Sequence, residues 1–293
     1  MAIEVLDCTL RDGAYIVNSI FGKERIKNII SSLNHAGVNI IECGWLRDCE
    51  SNKDSVFYNT LDEVFKLLPV KKSKFALMFD YGKYDLKKLP QNNGIIDIIR
   101  IAFYKKSLDE ISFAVEAVKS KGYQVFLQPS NIMEYSEQEI LKLCNRAKFL
   151  GVDAAYIVDS FGSMFPEDLN KIIPLFKENL DKKTKIGFHS HNSIQLSLGL
   201  SIQFINNFFD RDAFVDSTLC GIGRGAGNTK TEIMLEYLNR FKGSNYDMPQ
   251  IRECIDNNIL DLYKQYNWEY RPYKGYKGIL GVHPNTDNSE LFH

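Results

Sequence analysis

The apolar positions of this chain fall into two rhythms that alternate along most of its length. Short runs of consecutive branched and aromatic residues, bounded by glycine or polar clusters, read as buried strands. Longer stretches with apolar residues three and four positions apart read as helices that bury one face. The first run begins at Ile3, carries Val5 and Leu6, and is expected to end at Gly13. Lys23 to Ala36 has helical spacing, with Ile26, Ile29, Ile30 and Leu33 on one side and Gly37 as its stop. Val38 to Glu42 predicts a second strand, Val56 to Leu68 a helix stopped by Pro69, Phe75 to Phe79 a third strand and Ile95 to Phe103 a fourth. Leu108 to Lys121 predicts a helix closed by Gly122, and Gln124 to Gln128 a fifth strand. Ser136 caps a helix to Leu150, with Glu139 placed for a capping box. Ala154 to Val158 is the sixth strand, followed by a helix from Pro166 to Leu180 broken late by Pro174. A seventh strand starts at Thr184, Ile194 to Phe208 is helical, Ala213 to Cys220 is the eighth strand, and Thr229 to Phe241 closes the series.

Eight strands, each followed by helix over about 240 residues, fit a TIM (β/α)8 barrel better than an open doubly wound sheet. The third unit is the weakest, because Asp80 to Asn93 is polar and carries a short helix at best. Beyond about Tyr246 the pattern changes. Ile251 to Tyr266 reads as one helix, followed by the aromatic and basic stretch Trp268 to Tyr276 and by His283-Pro-Asn285. The expected organisation is a barrel over 1–245 and a short C-terminal helical extension over 246–293. The aromatics of that extension read as a partner surface, such as a homo-oligomer contact, or as a flap over the barrel mouth.

Composition narrows the class. The chain has 293 residues, 44% hydrophobic and 25% charged, with a formal net charge of −1. That balance gives no reason to expect nucleic acid or an anionic membrane surface as partner. No apolar run approaches the roughly 20 residues needed to span a bilayer, and no secretory signal is visible at the start. The six cysteines contain no C-x-x-C pair, so a reduced, cytoplasmic chain is the simpler reading.

Candidate chemistry gathers where strands run into the following loops. Arg11 and Asp12 lie side by side after the first strand. They read either as a surface ion pair or as a carboxylate for a hard cation beside a guanidinium for substrate oxygens. His189 and His191 are two of only five histidines, and residues i and i+2 of a strand share a face. That spacing favours a metal site over two packed core residues. Glu42 needs a partner, for which Arg11 is the candidate, and is read either as shaping the mouth or as catalytic. Arg100, inside an apolar strand, is expected to pair with a carboxylate. The glycine-rich run Gly221 to Asn228 is not a dinucleotide fingerprint, since it ends the series. It can wrap an anion or let backbone approach a substrate, with Asn228 a possible N-cap and Arg224 a cation for a substrate carboxylate or phosphate, or for solvent.

Arg11-Asp12, His189-x-His191 and Gly221-x-Gly-x-Gly-x-Gly-Asn228 occur in this order in the DRE-TIM metallolyases, which the chain resembles over about residues 3 to 242. The wording Asp7-Cys-Thr-Leu-Arg-Asp-Gly13 is most similar to the 4-hydroxy-2-oxovalerate aldolase branch. The resemblance implies a divalent cation, Mn²⁺ or Mg²⁺ with Co²⁺ or Zn²⁺ as alternatives, on Asp12, His189 and His191, with Asn228 as a weaker ligand. It places Asp159 and Ser160 in a loop beside the substrate. The implied reaction joins or splits pyruvate, or a similar 2-oxo acid, and an aldehyde through a metal-stabilised enolate, with Arg11 holding the same oxygens. The branch has a His two residues after Gly13, where this chain has Tyr15, a poor base at neutral pH; Tyr15 is expected either to act as the acid/base, directly or through a metal-bound water, or only to position substrate, with Glu42 then next in line. The alternatives are an acyl-CoA-dependent Claisen synthase or lyase, usually with a sizeable C-terminal region, and a non-catalytic metal-binding barrel.

Overall fold

A computed structural model describes residues 3–208 and 211–283. Its elements run β1 (Ile3–Asp7), α1 (Thr9–Gly13), α2 (Lys23–His35), β2 (Ile40–Leu46), β3 (Phe57–Tyr58), α3 (Leu61–Phe65), β4 (Lys74–Asp80) and β5 (Ile98–Phe103). They continue as α4 (Ile111–Ser120), β6 (Gln124–Pro129), α5 (Glu137–Leu150), β7 (Ala154–Asp159), α6 (Pro166–Asn179), β8 (Lys185–Ser190), α7 (Ser197–Asn206) and β9 (Ala213–Ser217). The last helices are α8 (Thr231–Phe241), α9 (Met248–Asn258), α10 (Leu260–Tyr266) and α11 (Pro272–Ile279). All strand pairings are parallel, and β1 pairs with β2 on one side and β9 on the other. Eight strands therefore close on themselves with no free edge, and β3 adds only to the end of β2. This is the expected TIM barrel.

The differences from the sequence reading have local causes. Val56 to Tyr58 is extended rather than helical, because Trp45 and Arg47 N–H groups donate to the Val56 and Tyr58 carbonyls. The helix starts only after the Thr60/Glu63 capping box. The first strand ends at Asp7, whose carboxylate accepts from the Thr9 N–H and turns the chain into α1. Pro174 does not break α6, whose face of Leu169, Ile172, Ile173 and Phe176 stays buried throughout. A prolyl ring removes one helical bond, and that packing outweighs it. The segment 251–266 is two helices that meet at Ile259. The third unit holds only one short 3₁₀ turn, Leu86–Lys88, as expected.

Inward positions of the strands set out the barrel in layers. Leu6, Ile40, Ala76, Ile98, Phe126, Ala154 and Phe214 form an apolar interior with Tyr156. An ionic layer of Glu42, Arg100 and Asp216 is buried among the same strands. Outside, α9 packs on α2, with Asp247 N–H donating to the Ala36 carbonyl and Arg25 paired to Asp261. Trp268 then donates to the Cys220 carbonyl (3.0 Å), which brings the chain back to the glycine loop at the barrel mouth. Pro284 and Asn285, with the rest of 284–293, lie outside the described residues. Among those described, no helix is long and apolar enough to cross a membrane.

Candidate active site

Two imidazoles and one carboxylate converge at the C-terminal ends of the strands. His189 lies on β8 and His191 one residue beyond its end, so the i, i+2 spacing brings their Nε2 atoms within 3.4 Å. Asp12, from α1, places Oδ2 3.8 Å from one Nε2 and 3.7 Å from the other. All three residues are buried. Each histidine is oriented through its other nitrogen: His189 Nδ1 faces Asp216 Oδ2 at 3.1 Å, and His191 Nδ1 faces the Arg224 carbonyl at 3.2 Å. An imidazole donating from Nδ1 leaves Nε2 with a bare lone pair.

Electrostatics points the same way. Burial pushes His191 down to about 4 and His189 well below its ordinary value. Burial would also raise Asp12, but Arg11, first among nearby cations, holds it below the usual carboxylate range. Two neutral lone pairs and an anionic oxygen thus face one small space.

Arg11 is held from below. Its Nε donates to Glu42 Oε2 at 2.7 Å, and Arg100 reaches the same oxygen at 2.9 Å. Arg100 then pairs with Asp216 at 2.5 Å, which returns the chain of contacts to His189. Glu42 is fully buried beneath Arg11 and does not line the cleft, so it meets no substrate directly.

The glycine loop closes the other side. Asn228 donates to Asp12 Oδ2 at 2.5 Å and to the Ile222 carbonyl at 3.1 Å, which leaves its buried Oδ1 without a partner. It is not an N-cap, since Lys230 holds that place for α8. Gly223 is needed there because a Cβ would sit 2.0 Å from Asn228 Nδ2 and 2.9 Å from Asp12 Oδ2.

The remaining residues divide at the mouth. Tyr15 is half-exposed, edge-on to Trp45, with the Arg224 guanidinium 5.1 Å above its ring. Desolvation pushes its phenol up to about 12 against the pull of Arg224. Ser160 lines the cleft. Asp159 does not: its carboxylate turns back to accept from the Ser163 and Met164 N–H groups (2.9 and 3.3 Å), and burial raises it to about 6. The structure adds Asp216, Gln128, Asn131 and His283, which the sequence reading had left without a role.

Comparison with known proteins decides the family. Residues 102–257 match the family model described as HMGL-like. A 4-hydroxy-2-oxovalerate aldolase from Geobacillus genomosp. 3 is 30% identical over 247 residues, 82% of this chain and 71% of that protein. The chain belongs to the HMGL-like family. The oxaloacetate decarboxylase of Mycobacterium tuberculosis is 26% identical over 245 residues, 80% of this chain and 70% of that protein. Among solved structures, the N-terminal domain of a candidate aldolase from Bacteroides vulgatus superposes with a TM-score of 0.83 at 26% identity, covering 99% of this chain and 95% of that one. Membership in the HMGL-like family places the chain among the DRE-TIM metallolyases, whose divalent-metal requirement suits the donor set described above. Asp12, His189 and His191 offer one ligand atom each within 4.8 Å of one another.

Proposed function

We propose that this chain is a metal-dependent aldolase that makes or breaks the C–C bond between a 2-oxo acid enolate, pyruvate or a close analogue, and an aldehyde. The observation that carries the reading is the convergence of two Nε2 lone pairs and the Asp12 carboxylate on one buried space. Asp12, His189 and His191 would hold a divalent cation, Mn²⁺ or Mg²⁺ or else Co²⁺ or Zn²⁺, with the unpartnered Asn228 Oδ1 as a further oxygen. Such a cation supplies Lewis acidity that stabilises the enolate. Arg11, clamped through Nε by Glu42 and paired through Nη1 with Asp12 Oδ1 at 3.2 Å, lines the cleft and offers its remaining N–H groups to the substrate oxygens in one fixed orientation. Glu42 and Arg100 act as positioning residues beneath it. Arg224 and Ser160 face the aldehyde half of the cleft. Tyr15, neutral throughout the working pH range, donates a hydrogen bond to the aldehyde oxygen and is too weakly acidic to serve readily as its base. The barrel, 1–245, carries this machinery, and the extension from 246 packs against it.

The test is cleavage of 4-hydroxy-2-oxo acids, read as pyruvate release, before and after chelation and with Mn²⁺ restored. The reading expects loss on chelation, recovery with metal, and no recovery in His189→Ala or Asp12→Asn. Full metal occupancy in those variants, or turnover indifferent to chelator, would refute it.

A further inference from the structure

The proposed reaction needs a group that takes a proton from the aldol hydroxyl and returns it. Tyr15 is a poor base, Glu42 is sealed under Arg11, the cleft carboxylates Asp80 and Glu134 are paired with Arg47 and Asn131, and the aldolase reading gives the paired imidazoles to the metal. One further imidazole lines the cleft among the described residues: His283, at the end of the chain segment that follows α11. Its position is built rather than accidental. Trp268 is buried and tied to the Cys220 carbonyl at the glycine loop. From there α11 lies so close over the loops after β7 and β8 that a Cβ on Gly278 would sit 2.7 Å from Ser193 Cβ and 3.1 Å from the Gly162 carbonyl. The helix therefore delivers His283 to the mouth, edge-on to Phe161 at 5.6 Å between ring centres. There Arg224 donates to His283 Nε2 at 3.2 Å, while the same guanidinium lies over the Tyr15 ring.

We infer that His283 is the proton-transfer residue on the aldehyde side of the reaction, with Arg224 holding it beside Tyr15. The inference rests on the aldolase reading above. In the cleavage direction the imidazole takes the proton of the 4-hydroxyl, and the C3–C4 bond breaks. Its electron pair passes into the 2-oxo acid enolate, and the oxygen becomes the aldehyde carbonyl. The enolate carbon then takes a proton from solvent and the imidazolium returns its own to solvent, so that no net proton is gained or lost. Arginine can only donate, so Arg224 holds the single lone pair of the neutral imidazole, on Nε2, and the substrate hydroxyl must take the place of that N–H for His283 to accept its proton. Burial, then the cations Arg224 and Lys277, hold the imidazole below its ordinary value, so it stands neutral at neutral pH.

Two half-reactions separate this role from a structural one. Exchange of the pyruvate methyl protons with D₂O needs the metal half of the site but no aldehyde oxygen. Cleavage of the aldols of pyruvate with acetaldehyde, glycolaldehyde and glyceraldehyde needs both halves. His283→Ala should lower cleavage of the best wild-type substrate by about 10²- to 10⁴-fold, the usual contribution of a positioned proton-transfer group. Pyruvate exchange should stay within about threefold, and added imidazole should restore part of the cleavage. Cleavage that stays within about threefold would overturn the assignment. So would equal loss of cleavage and exchange with no rescue by imidazole. Absence of exchange or of cleavage in the metal-loaded wild type would overturn the aldolase reading itself, and this assignment with it.

Discussion

At the scale of single residues, the site depends on which atoms are already occupied. Asp216 and the Arg224 carbonyl each occupy an Nδ1, so that both Nε2 atoms of the histidine pair stay open. Asp216→Asn keeps the shape and removes the charge. It should weaken Mn²⁺ binding by about 10- to 100-fold, as loss of such a partner commonly does. Isothermal titration would show this, and unchanged affinity would mean that the carboxylate does not tune His189. Arg11 differs, because a cation cannot be a ligand. Arg11→Lys should retain one metal per chain and lose at least about tenfold in turnover, since a point charge cannot reproduce the planar fork. Near-normal turnover with normal metal content would remove Arg11 from substrate binding. Asp159 supplies a pH signature of stability. Burial raises its folded-state pKa to about 6, above the ordinary aspartate value of 3.8, so the folded chain holds a proton between those values that the unfolded chain has lost. The associated stability is fully present below about pH 4 and is lost as pH rises through about 6. Whatever Asp159→Asn costs at pH 5, the wild type's advantage should shrink by pH 7.5, by about 1.4 kcal/mol, since about one pKa unit lies between pH 5 and the folded value and each unit is worth 1.36 kcal/mol. Denaturant titrations at the two pH values would test this, and an advantage that grows with pH would contradict it.

At the scale of elements, α11 is the piece whose placement matters most to the reaction and was hardest to foresee. Gly278→Val should push the helix off the loops after β7 and β8, because the added carbons meet Ser193 and the Gly162 carbonyl. Aldol cleavage should then fall at least about tenfold, while metal content and pyruvate exchange hold. Parallel loss of all three would instead indicate a general disturbance of the mouth. The barrel elements were legible because their apolar periods are strong: Ile26, Ile29, Ile30 and Leu33 bury together on α2, as their spacing requires. Where propensity and pairing competed, pairing prevailed. Val56 to Tyr58 has helical spacing, yet its backbone groups complete the end of β2. Pro174 looks like a stop, yet the apolar face around it holds α6 together.

At the scale of the whole molecule, the closed barrel converts distant stretches of sequence into one site. Asp12, His189 and His191 were legible because a strand end and an i, i+2 spacing state the geometry locally. Asp216 was not, because its meeting with His189 is set by the register of β8 against β9 and by Arg100 across the barrel. The role of His283 was hidden for the same reason: a flap over the mouth is one reading of the aromatic extension, but no local pattern sets His283 beside Arg224. Asp159 shows the opposite error, since its loop sits beside the cleft while its carboxylate holds backbone. All of these placements serve one central claim, that this barrel stabilises a 2-oxo acid enolate with a metal held by Asp12, His189 and His191. The most direct measurement is the exchange of pyruvate's methyl protons in D₂O, followed by proton magnetic resonance on the metal-free chain and after addition of one equivalent of Mn²⁺ or Mg²⁺. The account predicts exchange that appears with metal, stops with chelator and is absent in His189→Ala and Asp12→Asn. Metal bound at full occupancy without any exchange would contradict it, and would leave a metal-binding barrel without the chemistry.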